Sequence, residues 1–162
     1  MSREHMHAFF KQFQYDPMAE NTLDQNPYIY NAETVDQHYD KHTGQGNIHF
    51  AILLNDEVIG DIYLKHFNQA DKSCQMGIYL VNDQYKGKGF GTQAEHLMLD
   101  HVFENTDIEV IYADTLEKNQ RSKRTLEKVG FTVIRTDHER IYLECKKQRW
   151  ADTRQLKSVS SV

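Results

Sequence analysis

Proline and cysteine are scarce in this chain, long apolar runs are absent, and basic residues are in the minority. Both prolines of the 162 residues, Pro17 and Pro27, sit near the start, so no proline interrupts a helix or strand beyond them. The two cysteines, Cys74 and Cys145, lie far apart and without the spacing of metal ligands. They read as buried thiols of a reducing compartment rather than as a disulfide. Apolar runs reach only a few residues, which leaves nothing long enough to span a membrane. Met1 to His5 lack the apolar segment of a secretory signal, so the cytoplasm is the expected location. Against 24 Asp and Glu stand 19 Lys and Arg, a net charge of −5. That balance argues against nucleic acid as the main partner, which needs a clustered basic surface.

What is present is ordinary globular composition, 39% hydrophobic and 27% charged. The length suits one domain with its own core, expected over 1–148, with 149–162 as a C-terminal tail that ends loosely from Lys157 to Val162. Ser2 is placed to cap a helix whose Met6, Phe9, Phe10 and Phe13 recur at helical spacing, stopped by Tyr15-Asp16-Pro17. Asn21 to Tyr30 has no period and reads as a loop. Thr34 opens a second helix to Lys41, ended by Thr43 to Gly46. Ile48 to Leu54 alternates as a strand, Asn55-Asp56 turns, and Val58 to Phe67 returns. Asn68 to Asp71 turns again into a strand ending at Val81. Ala94, Leu97, Met98, Val102 and Phe103 mark a helix from Gln93 to Phe103. Ile108 to Ala113 is then a buried strand, parallel to the one before that helix because a helix joins them. Asn119 caps a further helix with Leu126 and Val129 inward and Gly130 as its stop. Phe131 to Arg135 and Arg140 to Cys145 form a closing hairpin.

The stretch that carries chemistry is Gln84-Tyr85-Lys86-Gly87-Lys88-Gly89-Phe90-Gly91-Thr92, between the strand ending at Val81 and the helix from Gln93. Its alternate glycines let the backbone approach a ligand, and the amides opening the helix lack intrahelical acceptors in the positive end of the dipole. Strand, glycines, lysines and helix in this order describe an anion cradle for phosphate; a flexible turn with solvated lysines is the plainer alternative. The Walker spacing is absent, and Gly87-x-Gly89-x-Gly91 misses the dinucleotide fingerprint by one position. The stretch does resemble the pyrophosphate loop of the GNAT superfamily of acyl-CoA N-acyltransferases, Gln/Arg-x-x-Gly-x-Gly/Ala, read here as Gln84-x-x-Gly87-x-Gly89. Asn119-Gln120-Arg121-Ser122, followed by Leu126-Glu127-Lys128-Val129-Gly130-Phe131, resembles the second signature of the same superfamily at the matching distance. The resemblance covers residues 4 to 146. Ser122 and Leu126 resemble the branch of the ribosomal-protein N-terminal acetyltransferases.

The resemblance implies an α+β fold: a mostly antiparallel central sheet with one splayed parallel strand pair, flanked by about four helices. It implies acetyl-CoA as cosubstrate, with no metal. Backbone groups around Tyr79, Leu80 and Val81 would pair with the pantetheine arm. The pyrophosphate would sit on Gln84, Lys86, Gly87, Lys88, Gly89, Phe90, Gly91 and Thr92, and Asn119 and Ser122 would reach the arm and thioester. An amide of Leu80 or Val81 would stabilise the oxyanion. The chain departs from the family at the acid and the base. Leu126 stands where many members have tyrosine, and Gln75 where many have glutamate. Ser122 is the substitute acid, and Asp114 and Glu117 are the nearby carboxylates that remain for the base. The cysteines match no motif position, which favours direct transfer in a ternary complex over an acyl-enzyme. The fold usually begins with a strand before its first helix, and this chain starts almost at the helix.

The implied acceptor is a primary amine, either a small molecule or a peptide N-terminus. Tyr28, Tyr30, His138 and nearby acids lie in the segments that line acceptor sites in this fold. His38 and His42, four apart on a helix, share a face as metal ligands or, more simply, as solvated histidines. Exposed strand edges suit a homodimer. Loss of both the usual glutamate and the usual tyrosine leaves a non-catalytic acyl-CoA-binding sensor or scaffold as the alternative.

Overall fold

The computed structural model of the chain describes residues 1–19 and 28–159, with side chains through Arg154. Of the loop read from Asn21 to Tyr30, Asn21 to Pro27 lie outside the described residues, as does the tail beyond Val159. Five helices and six strands follow in the order α1 (Arg3–Gln12), α2 (Ala32–Gly44), β1 (Ile48–Leu54), β2 (Glu57–Asn68), β3 (Ser73–Leu80), α3 (Phe90–Asn105), β4 (Val110–Leu116), α4 (Gln120–Val129), β5 (Thr132–Thr136), β6 (Arg140–Lys146) and α5 (Lys147–Val159). The strands form one sheet in the order β1-β2-β3-β4-β6-β5, antiparallel except for β3 with β4. Among the described residues the first strand is Ile48–Leu54, so none precedes α1.

The local chemistry explains most boundaries. Ser2 accepts from the His5 N–H at 3.1 Å and starts α1. α2 is capped by Asn31, whose Oδ1 accepts from Thr34 N–H at 2.9 Å, so Thr34 sits inside the helix it was expected to open. Asn55 and Asp56, at φ of 50° and 66°, supply the left-handed pair that a tight β1–β2 hairpin needs. Asn119 accepts from Ser122 N–H at 3.1 Å to cap α4. Gly130, at φ 115°, ends that helix, with Phe131 N–H reaching back to Leu126 O at 3.0 Å.

The main core lies between the sheet and α3 and α4, where Leu99, Phe103, Ile111, Leu143 and Cys145 are almost wholly buried. A second cluster, Phe9, Val58, Ile59, Val81 and Tyr85, lies under α1. Cys74 and Cys145 are buried free thiols, and burial pushes them up to about 11 and about 12. The stretch expected as a tail is helical as far as Val159. Trp150 anchors it, tilted against Phe103 at 5.4 Å between ring centroids and donating its indole N–H to Asp100 at 2.8 Å. A single half-buried aromatic gives no periodicity, which is why the stretch reads as a tail in the sequence.

The feature that creates a site is the parallel pair. β3 and β4 are matched at only three positions, Ser73 with Val110, Cys74 with Ile111 and Gln75 with Tyr112. Beyond Gln75, β3 stays paired to β2 as far as Leu80, while β4 turns away along β6 as far as Leu116. The sheet is therefore split toward the C-terminal ends of both strands, where ligands of parallel strand pairs bind.

Candidate active site

The split opens onto a cleft of about 900 Å3. One side is β3 at Ile78, Tyr79 and Leu80; a second is the loop and first turn of α3; the third is α4. Gly87 and Gly89 hold φ of 73° and 89°, which β-carbons disfavour, and the space where a Cβ would project is open at both. Gly89 is the N-cap of α3 and provides no side-chain cap, so the first helical amides present their partial positive charge to the cleft. On α4, Arg121, Arg124, Thr125 and Lys128 line the same cleft, adding a basic face one helix turn apart.

Most of the sequence-predicted cofactor set converges here. Tyr79, Leu80, Lys86, Gly87, Gly89, Gly91, Thr92, Asn119 and Ser122 line the cleft, whereas Val81, Gln84, Lys88 and Phe90 do not. Val81 is fully buried; its N–H donates to Ile59 O at 3.0 Å and its carbonyl accepts from Gln14 N–H at 2.8 Å. Alternation along the strand then turns the amides of Ile78 and Leu80 toward the gap. Phe90 packs into the second core cluster beside Tyr85, at 6.3 Å between ring centroids. The Lys86 ammonium is held within the protein, donating to Asp16 and Asp83, each at 2.8 Å. Asp16 also accepts from Arg121 at 2.8 Å, tying the chain after α1 to the glycine loop and to α4. Burial raises the Asp16 carboxyl, but bonds from Lys86 and the Met18 N–H and the nearby Arg121 outweigh it and leave the pKa below its ordinary value.

Inside the split lies a smaller cavity of about 180 Å3, lined by Gly77, Asp114, Asn119, Ser122 and Leu126 among others. Ser122 faces both this cavity and the large cleft. Asp114 accepts from the Gln75 amide and is ion-paired to Arg140, so both of its oxygens are engaged. Glu117 is exposed at the β4–α4 turn and lines neither space; its backbone N–H donates to Glu139 O at 2.8 Å.

One residue at the junction escapes the sequence reading. Glu95 on α3 lines both the cleft and the inner cavity, is 1% exposed, and its Oε2 has no hydrogen-bond partner. Burial alone raises its carboxyl to about 8, so it is largely protonated at neutral pH. The available signal was a carboxylate on the stripe shared by Leu99, Val102 and Phe103, the buried face of the helix.

A second space, about 410 Å3, lies across the sheet under α1 and α2. His38 and His42 face it with their rings 4.2 Å apart rather than facing solvent, and His49 of β1 lies 5.4 Å from His42. Tyr63, Lys65 and Tyr79 line both this space and the inner cavity. The ring of Tyr63 occupies the place of a side chain on residue 77, since a Cβ there would lie 2.3 Å from the phenol carbon and hydroxyl.

The sequence profile of the Acetyltransferase (GNAT) domain family matches residues 1–132. The chain belongs to this family. Spermidine N(1)-acetyltransferase of Escherichia coli (strain K12) is 27% identical over 96 residues, which are 59% of this chain and 51% of that protein, so the chain spans about half the length of this curated relative. Among solved structures, AAC(6')-Ib in complex with ribostamycin and coenzyme A superposes with a TM-score of 0.80 at 18% identity, covering 95% of this chain and 94% of the other. A chimera of Vibrio cholerae spermidine N-acetyltransferase SpeG and hSSAT gives 0.75 at 16% identity, covering 93% and 95%. These structural likenesses establish the GNAT fold. GNAT acetyltransferases use acetyl-CoA, and the residues of this GNAT domain suit it: an uncapped helix start for the pyrophosphate, a basic α4 face for further phosphate, and a split strand edge for the amide-bearing arm.

Proposed function

We propose that this GNAT domain moves the acetyl group of acetyl-CoA onto the nitrogen of a small primary amine, directly and without an acyl-enzyme. The observation that carries the reading is the split between β3 and β4 closed at one end by the uncapped, glycine-led start of α3. In this reading the first-turn amides of α3 and the α4 face of Arg121, Arg124 and Lys128 hold the phosphates. The pantetheine arm pairs with the exposed edge of β3 and takes a further bond from the Asn119 amide, whose oxygen is already used by the α4 cap. The amine lone pair attacks the thioester carbon, and the Ile78 or Leu80 amide stabilises the oxyanion. As the C–S bond breaks, the thiolate takes a proton, for which Ser122 and the neutral carboxyl of Glu95 are the donors within the cavity. Asp114, held by Gln75 and Arg140, positions the far wall, and Glu117 takes no part. Cys74 and Cys145, buried and pushed up to about 11 and about 12, are poor nucleophiles.

The names of the relatives, spermidine and aminoglycoside acetyltransferases, support a small amine as acceptor. A peptide N-terminus is the second reading, supported by the likeness of Ser122 and Leu126 to the ribosomal-protein branch. CoA-SH release with a panel of small amines and N-terminal peptides tests both. Amine-dependent release is expected. Acetyl-CoA binding without turnover on any acceptor would replace the enzyme with an acyl-CoA sensor.

A further inference from the structure

The space under α1 and α2 has the build of a binding pocket. Its described walls are aromatic: Phe9 and Phe10 of α1, Phe13 just after it, Tyr15 and Tyr28 of the adjoining segments, and Tyr63 and Tyr79 of the sheet. Contacts among Phe10, Phe13, Tyr15 and Tyr28 run from 5.5 to 6.0 Å between centroids. Its polar floor is a dyad. His49 Nδ1 lies 2.8 Å from Asp61 Oδ2, both side chains are 10% exposed, and His49 Nε2 is buried with no hydrogen-bond partner. With Nδ1–H donating to the carboxylate, Nε2 carries a lone pair and must meet a donor that the described residues do not supply.

The charge inventory selects the donor. From α2, burial and then the neighbouring imidazoles His42 and His49 hold His38 down to about 4, and burial with His49 and Lys41 likewise lowers His42. Both are neutral at pH 7. From β2 come Asp61, Lys65 and Tyr63, and burial with Tyr79, Asp61 and Asp114 holds the Tyr63 phenol protonated well beyond its usual range. Tyr79 closes the β3 side, and Tyr15 and Tyr28 the side of the chain between α1 and α2. Among the described residues this wall offers one carboxylate, offset by one lysine, and otherwise chiefly imidazoles and aromatic rings. A polycation finds a single anionic contact there; an aromatic body finds seven phenylalanine and tyrosine rings.

We propose that this pocket is the acceptor site, that its occupant is a primary monoamine carried on a flat apolar body, and that His49, oriented by Asp61, removes a proton from its ammonium. The proposal rests on the acetyl-transfer reading above. His49 Nε2 takes one N–H proton, leaving a neutral amine. The nitrogen lone pair forms the C–N bond, and the C–S bond breaks with its electrons on sulfur. The thiolate takes its proton from Ser122 or Glu95, the second nitrogen proton restores that donor, and His49 returns its proton to solvent. Tyr63 and Tyr79, which line both the pocket and the split, mark the passage from His49 to the thioester.

The test is steady-state kinetics of the whole chain with acetyl-CoA and 2-phenylethylamine, spermidine or kanamycin, alongside His49→Gln and Asp61→Asn. A kcat/KM for 2-phenylethylamine at least about tenfold above either polycation is expected. His49→Gln is expected to lower kcat about a hundredfold at pH 7 with an unchanged KM for acetyl-CoA, and the loss should shrink by pH 10 as the amine loses its proton unaided. Asp61→Asn should give a smaller loss and a displaced acid limb of kcat/KM, which a purely structural role would not move. Preference for spermidine or kanamycin, or a His49→Gln variant with the wild-type rate and pH profile, overturns the proposal while the transfer reading stands. No turnover on any amine, with 2-phenylethylamine still binding by calorimetry and the binding lost in His49→Gln, overturns the transfer reading and upholds the pocket.

Discussion

Glu95 shows how one side chain links stability to the site. A carboxyl that is 1% exposed and lacks a partner at Oε2 pays for its burial whenever it ionises. Its folded pKa of about 8 lies above the ordinary glutamate value of 4.5, so the folded chain binds more protons than the unfolded one between those values. Stability is then complete below about pH 4.5 and declines as pH rises through 8. Glu95→Gln removes the titration. The ligand-free variant is expected to match the wild type near pH 4.5 and to exceed it by on the order of 5 kcal/mol above pH 9, read from urea unfolding at both pH values. A gap that does not grow with pH would mean that the carboxylate has found a partner. The same residue marks a limit of the sequence. The glycine loop and the Asn119 cap are local patterns, legible because backbone conformation and spacing dictate them. Glu95 counts as buried only once α3 is docked.

At the scale of elements, helix caps, hairpin turns and strand alternation were all legible, because each depends on neighbours within a few residues. The split between β3 and β4 entered through the family likeness, and the exact place where pairing stops, Gln75 with Tyr112, is set by tertiary packing. Of the histidine pocket, only the shared face of His38 and His42 and the place of Tyr28 were legible. His38 and His42 come from α2, His49 from β1 and Asp61 from β2, and the register that pairs His49 with Tyr63 and Ala51 with Asp61 has no signature along the chain. The β2–β3 pairing is also where a glycine is demanded by close approach. Tyr63 and Gly77 are directly opposed, and the ring fills the space of the missing side chain. Gly77→Ala is therefore expected to destabilise the fold by about 1–3 kcal/mol in chemical denaturation and to displace Tyr63 from the passage between the two cavities. Wild-type stability in that variant would show that the ring moves aside without cost.

For the molecule as a whole, the sheet separates two chemistries. α3 and α4 cover one face and build the anionic-ligand side, while α1 and α2 cover the other and enclose the aromatic pocket; the split between β3 and β4 connects them. Donor and acceptor would thus approach the thioester from opposite faces, which is the arrangement a ternary-complex transfer requires. Among its described residues α5 lines neither space; Trp150 packs against Phe103, and Arg154 pairs with Asp100 and Glu104 of α3. The central claim is that the split and the start of α3 receive acetyl-CoA. Calorimetric titration of acetyl-CoA into the wild-type chain and into Gly89→Glu tests it most directly. The substitution puts a carboxylate into the open space before the cradle and strains a backbone held at φ 89°. Saturable one-to-one binding to the wild type, weakened at least about a hundredfold in a variant that still folds, is the predicted result. Equal affinity in the two proteins, or no binding to either, would contradict the account.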